Sequence, residues 1–88
     1  MSIKVRLFAA LREAAGTSAL QVEAVTLPAL LDQLRDRFGE PFTTRLSVAA
    51  ILVDGEAVSR DAAIALADGA EVALLPPVSG GGAAAARR

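Results

Sequence analysis

Residues 70–81 read Ala-Glu-Val-Ala-Leu-Leu-Pro-Pro-Val-Ser-Gly-Gly, and they are the strongest indication of the fold. Its first half is an apolar strand that leads into Pro76-Pro77. Proline fixes φ, which holds this segment extended, and disfavours helix in the residue before it. Gly80-Gly81 has no Cβ atoms, so this part of the chain can pass through a narrow channel of another protein. The stretch predicts a strand that leads into a tail suited to insertion.

The main helix is predicted over residues 27–38. Thr26 can cap its N-terminus, Pro28 is tolerated in its first turn, and Gly39 ends it. Its apolar residues fall at i, i+3, i+4, i+7 and i+11, which is one stripe of an amphipathic helix. The stripe consists of Leu27, Leu30, Leu31, Leu34 and Phe38.

Strands are predicted on both sides of this helix, in the order ββαβββ, which indicates an α+β domain. Alternating apolar residues, continuous apolar runs and turn residues mark them. The further elements are a strand over residues 3–8, a short helix over residues 9–15 closed by Gly16, a strand over residues 20–25, a buried strand over residues 48–53, a turn at Asp54-Gly55, a short strand over residues 56–58 and the last strand over residues 71–75.

One helix covers only one face of such a sheet, so the other face is open. Alternate residues of a strand point to opposite faces. If Val72 and Leu74 face the helix, Phe8 and Leu75 lie on the open face, where an apolar pair suits contact with a partner. The alternative is that Phe8 tucks beneath the short helix that follows it.

The composition excludes several kinds of chemistry. The 88 residues form one domain with a formal net charge of −1 and contain neither Cys nor His. A thiolate nucleophile, a disulfide, most zinc sites and an imidazole base are therefore excluded. No pair of clustered acidic residues is evident either, so we predict neither a metal site nor an autonomous active site.

Neither nucleic acid nor a membrane is an expected partner. The chain has no basic stripe interleaved with aromatic residues, and no apolar run is long enough to span a bilayer. The N-terminal residues 1–6 alternate charged with apolar side chains and do not resemble a signal peptide. A cytoplasmic location is expected.

Two segments resemble a known family. Residues 5–13 read VRLFAALRE, and residues 68–81 read DGAEVALLPPVSGG. They resemble the ubiquitin-like β-grasp sulfur carriers, in particular the small subunit of molybdopterin synthase. The resemblance covers residues 2–81 and implies a mixed sheet of four to five strands packed on one main helix.

The resemblance implies a function for the terminal glycine. In this family an adenylating, E1-like activating enzyme uses ATP to adenylate the C-terminal carboxylate, which is then converted to a thiocarboxylate. The tail enters the large subunit of molybdopterin synthase and donates sulfur in molybdenum cofactor biosynthesis. This carrier needs no cysteine and binds no cofactor of its own; the acyl-adenylate and the thiocarboxylate are covalent modifications of its end.

The family roles transfer to nine residues of this sequence. The thiocarboxylate belongs to Gly81, and Gly80 permits passage of the tail. Arg12 matches the family's arginine after the first strand, although a solvated helix charge is an equally good interpretation. The residues expected to contact the partner are Phe8, Arg12, Leu75, Pro76, Pro77, Val78 and Ser79.

Residues 82–88 depart from the family pattern, which usually stops at the second glycine. We expect residues 1–81 to form the carrier domain and residues 82–88 to be a flexible extension. The extension is a precursor tail removed by a processing protease, or else a linker to a second domain or a cloning remnant. A third interpretation is that the glycines form a flexible tail that is never thiocarboxylated.

Two alternative functions remain at this point. The first is a sulfur carrier for another pathway, such as thiamine, cysteine or another thio-metabolite, that requires removal of residues 82–88. The second is a ubiquitin-like protein modifier or interaction module that is conjugated through Gly81.

Overall fold

The computed structural model describes residues 1–77. Five strands and three helices follow one another in the order β1, α1, β2, α2, α3, β3, β4, β5. Their bounds are β1 Ser2–Leu7, α1 Ala9–Ala15, β2 Ala19–Glu23, α2 Leu27–Phe38, α3 Phe42–Leu46, β3 Ala50–Val53, β4 Glu56–Val58 and β5 Glu71–Leu75.

The strands form one mixed sheet in the order β2-β1-β5-β3-β4. The central pair, β1 and β5, is parallel, and the other three pairs are antiparallel. The first two predicted strands pair with each other antiparallel, and the predicted last strand is confirmed. The α+β class, with one main helix on a sheet of five strands, is confirmed as well.

Helix α2 forms where the sequence predicts it. The hydroxyl of Thr26 accepts a hydrogen bond from the backbone N–H of Ala29 at 3.3 Å, and so caps the first turn. At the other end Gly39 has a φ of +62°, a conformation that L side chains rarely adopt. Of the apolar stripe, the four leucines are fully buried and Phe38 is half-buried.

The core between α2 and the sheet is aliphatic apart from Phe42. No polar or charged residue is buried within residues 1–77, so this core contains no polar group that needs an internal partner. Strands β1 and β5 direct alternate residues into it, namely Ile3, Val5, Leu7, Val72 and Leu74.

The segment between α2 and β4 differs from the prediction. The buried strand predicted over residues 48–53 begins only at Ala50, and 57% of the surface of Val48 is exposed. The one-turn helix α3 was not predicted, because five residues are too few to show a helical period. It forms because Phe42 and Leu46 are buried, with the Phe42 ring centroid 4.9 Å from that of Phe38.

The turn predicted at Asp54-Gly55 occurs, and a second Asp-Gly pair also forms a turn. Asp54 and Gly55 have φ values of +50° and +89°, as a type I′ hairpin turn requires, and they join β3 to β4. The second turn, at Asp68-Gly69, precedes β5.

Candidate partner-binding site

The tail leaves the domain from the centre of the sheet. Strand β5 pairs with β1 on one side and β3 on the other, and Leu74 lies opposite both Leu7 and Ile51. A strand that is bonded on both sides fixes the point at which the tail begins. Pro76 and Pro77 continue from it and are exposed.

Phe8 lies beside this exit. Because β1 and β5 are parallel neighbours, their C-terminal ends lie side by side at the same end of the sheet. The backbone N–H of Phe8 donates a hydrogen bond to the carbonyl oxygen of Leu74 at 3.2 Å. The guanidinium carbon of Arg6 lies 5.7 Å from the centroid of the Phe8 ring. Arg6 points to the open face, so the half-buried Phe8 ring borders that face.

Leu75 extends the same surface. Leu7 is paired with Leu74, so Phe8 and Leu75 come next in parallel register, and Leu75 is also paired with Ala50 of β3. Both side chains are half-buried. We call the strip formed by Phe8, Leu75, Ala73, Ala50 and Leu52 the open-face strip.

A basic cavity of about 430 Å³ borders the open-face strip. It is lined by Lys4, Arg6, Leu7, Phe8, Arg12, Ser18 and Ala19. The guanidinium of Arg6 lies 3.6 Å from the Glu71 carboxylate, whereas Lys4 and Arg12 form no ion pair with any residue in 1–77. Arg12 therefore lies with Phe8 in one cavity, and its charge is available to a partner.

A second cavity, of about 230 Å³, lies at the root of the tail. Helix α1, the end of α3 and the two prolines form its walls. We call it the tail-root groove; its lining residues are Ala10, Leu11, Arg45, Val48, Pro76 and Pro77. Sequence reasoning missed Arg45 and Val48, since α3 was not predicted and Val48 was assigned to a buried strand.

A third cavity, of about 300 Å³, lies between β2 and α2, and none of its lining residues belongs to the predicted site. There the side-chain amide of Gln33 donates to the carbonyl oxygen of Glu23 at 2.6 Å and so covers part of the β2 edge.

Four of the predicted site residues, Val78, Ser79, Gly80 and Gly81, lie outside the described residues. The other five, Phe8, Arg12, Leu75, Pro76 and Pro77, lie around the exit of the tail. Within residues 1–77, no three His, Cys, Asp or Glu side chains are close enough to hold a metal ion. No helix of this part is long and apolar enough to cross a membrane.

Comparison with known families gives one match that covers most of the chain. The model of the ThiS family matches residues 5–81, from the first strand to the second glycine. No curated protein sequence matches the chain.

Several solved structures are similar to this chain. Small archaeal modifier protein 1 of Haloferax volcanii is 32% identical with a TM-score of 0.73, and the match covers 92% of this chain and 100% of that one. A chain from the complex of subunits 1 and 2 of the molybdopterin-converting factor of Helicobacter pylori is 28% identical with a TM-score of 0.69, over 92% and 100% of the two chains. CysO of Mycobacterium tuberculosis is 26% identical with a TM-score of 0.71, over 86% and 99%. These similarities confirm the predicted ubiquitin-like β-grasp fold.

Proposed function

The chain belongs to the ThiS family of sulfur carriers and ubiquitin-like proteins, and we propose that it carries sulfur as a C-terminal thiocarboxylate on Gly81 for molybdopterin biosynthesis. The observation that carries the proposal is the placement of the tail. The central strand β5, bonded on both sides, projects Pro76-Pro77 from its C-terminal end, next to an apolar strip and a basic cavity. The family match extends through the following residues and ends at Gly81, which supports Gly81 as the terminal residue.

The chemistry of a terminal carboxylate suits a chain without cysteine. A carboxylate is a poor electrophile at neutral pH, so it needs activation. The Gly81 carboxylate attacks the α-phosphorus of ATP on the activating enzyme, which forms the acyl-adenylate and releases pyrophosphate. A sulfur nucleophile in the oxidation state of hydrosulfide then adds to the acyl carbon and displaces AMP. One proton is released. The product is a thiocarboxylate whose sulfur is nucleophilic, so the chain itself contributes a positioned end rather than a catalytic group.

The proposed partner is the large subunit of molybdopterin synthase. The similarity to the H. pylori complex supports this assignment, because that structure contains subunits 1 and 2 of the molybdopterin-converting factor together. In our proposal the large subunit covers the open-face strip and receives the tail, with Phe8 and Leu75 as apolar contacts. Lys4 and Arg12 lie where they can pair with carboxylates of that subunit.

A second candidate function is protein modification. It is favoured by the 32% identity to small archaeal modifier protein 1. The first step is the same, but a lysine amine of a target protein, instead of sulfur, attacks the acyl-adenylate and displaces AMP. A carrier for another sulfur pathway is a variant of the main proposal, in keeping with the similarity to CysO.

The first test is the intact mass of the protein from its native host. We expect a species that ends at Gly81, part of it with one terminal oxygen replaced by sulfur. A population that retains Arg88 throughout would refute the carrier proposal, because the Gly81 carboxylate would never be free. Adducts in which Gly81 is joined to lysine side chains would favour the modifier function.

The second test measures activation with purified components. A chain that ends at Gly81 is incubated with the activating enzyme of the same organism and ATP, and pyrophosphate release is followed. The matched control is the chain that ends at Arg88, which has the same fold but no terminal Gly81 carboxylate. We expect release only with the shorter chain, and equal release from the two would contradict the proposal.

A further inference from the structure

The tail-root groove is distinct from the open-face strip. The strip lies on the side of the sheet that α2 leaves uncovered, whereas the groove lies between helices α1 and α3, on the other side of the tail exit. Pro76 and Pro77 line its wall. A protein that binds the tail up to its root therefore lies next to this groove.

The size of the groove indicates what it can hold. About 230 Å³ is less than the roughly 300–1,000 Å³ of most small-molecule sites. The cavity does suit one apolar side chain from a protein loop. Its walls are mainly apolar, with Ala10, Leu11 and Val48 facing the two prolines.

The exposure of Val48 is built into the fold. Ser47, Val48 and Ala49 follow α3 as a continuous turn, in which the N–H of Ala49 bonds to the carbonyl of Leu46 at 3.1 Å. Leu46 and Ala49 are buried on either side of Val48, which itself is 57% exposed. The turn is thus anchored at both ends, and Val48 is presented at the surface of an ordered segment.

Arg60 fixes this turn from outside. Its guanidinium donates to the carbonyl oxygen of Leu46 and, at 2.6 Å, to that of Ala49. Both bonds are charge-assisted and join the turn to the segment after β4. Val48 is therefore pre-positioned, which lowers the entropy that binding would otherwise cost.

Arg45 supplies the polar part of the groove. Its side chain is exposed and forms no ion pair within residues 1–77. A guanidinium at the rim of an apolar groove matches a carboxylate, which it can bind through two parallel hydrogen bonds.

We propose that the tail-root groove is a second docking site for the protein that receives the tail. Its occupant is a loop that presents an aliphatic side chain to Val48 and an adjacent Asp or Glu to Arg45. This inference rests on the proposed function only in that the loop belongs to the tail-binding partner.

The test uses two short peptides and the full chain labelled with ¹⁵N. The probes are acetyl-Gly-Leu-Asp-Gly-amide and acetyl-Gly-Asp-Leu-Gly-amide. The measurement is the change in the NMR chemical shifts of the backbone amides. We expect changes confined to the amides of Ala10, Leu11, Arg45 and Val48, with a dissociation constant on the order of 1 mM for so small a contact. The matching peptides with Asn in place of Asp should bind about threefold or more weakly at low salt.

Two variants and two matched controls decide the assignment. Val48→Ser and Arg45→Gln should each weaken binding at least threefold, and both change exposed residues, so the spectra will show that the fold is retained. The controls are Val25→Ser and Arg37→Gln, which make the same changes outside the groove; 60% of Val25 is exposed. The controls should bind as the unmodified chain does.

The proposal is overturned if no localised changes appear, or if the controls weaken binding as much as the groove variants. The titration requires neither adenylation nor a free Gly81 carboxylate. Failure of the carrier function would therefore appear in the mass and activation experiments while leaving this result intact. A groove that does not bind the peptides would be detected only in this titration.

Discussion

At the scale of single residues, Arg60 joins two segments that lie more than ten positions apart in the sequence. Its guanidinium bonds to the carbonyl oxygens of Leu46 and Ala49, between the end of α3 and the start of β3. Arg60→Met keeps much of the aliphatic stem but leaves both part-buried carbonyls without these donors. We expect a loss of about 1–3 kcal/mol in the free energy of unfolding, measured with urea. Arg45→Met changes an exposed side chain without an ion pair in residues 1–77 and is the control, expected to stay within about 0.5 kcal/mol. An equal effect of the two would contradict this role for Arg60.

Phe8 and Phe38 form a natural pair for testing the open-face strip. Each ring is half-buried and has an arginine over it, Arg6 at 5.7 Å and Arg37 at 5.8 Å, but Phe38 lies on α2. Phe8→Ala should weaken binding to the large subunit at least tenfold, because aromatic anchors dominate interfaces. Phe38→Ala removes the contact with Phe42 and should lower stability while leaving binding unchanged in the folded protein. Calorimetric titration and urea unfolding measure the two effects, and the reverse pattern would remove Phe8 from the interface.

At the scale of elements, β5 and the two prolines act as one unit that holds the root of the tail. Replacing Pro76-Pro77 with Gly-Gly adds backbone freedom that must be lost on insertion, at about 0.4–1 kcal/mol for each proline removed. We expect roughly tenfold weaker binding to the large subunit. Both prolines are exposed, so the free energy of unfolding should change by less than about 1 kcal/mol. A Pro28→Ala control in helix α2 should not affect binding, and unchanged affinity of the Gly-Gly variant would contradict the inserted-tail model.

The elements also show how far the sequence could predict this protein. Helix α2 and strands β1 and β5 were predictable, because each carries its own apolar period over several residues. The parallel pairing of β1 with β5 brings Phe8 to the end of the sheet where Leu75 lies, in keeping with one of the two interpretations of Phe8. The tail-root groove was not predictable, since the positions of Arg45 and Val48 depend on the burial of Phe42 and on the hydrogen bonds of Arg60. Such tertiary contacts leave no local pattern in the sequence.

At the scale of the whole molecule, charge is distributed unevenly. The chain has a formal net charge of −1, yet Lys4, Arg6 and Arg12 line a single cavity next to the open-face strip. Charges at the rim of an interface act mainly on the association rate and on its salt dependence. The basic cavity is therefore expected to guide the large subunit onto this face, while the apolar contacts and the tail hold it there.

This division of roles gives a prediction for the double variant Lys4→Gln/Arg12→Gln. Exposed ion pairs contribute roughly 0.2–1 kcal/mol each, so the affinity for the large subunit should fall about two- to thirtyfold at low salt. The loss should lie mostly in the association rate, and it should shrink as added salt screens the charges of the unmodified chain. The control, Arg35→Gln/Arg37→Gln, changes the net charge equally but on helix α2, outside the basic cavity. Stopped-flow association measured at several salt concentrations distinguishes the two variants. If both slow association equally, net charge rather than the placement of the basic cavity directs binding; if neither does, the cavity does not face the partner.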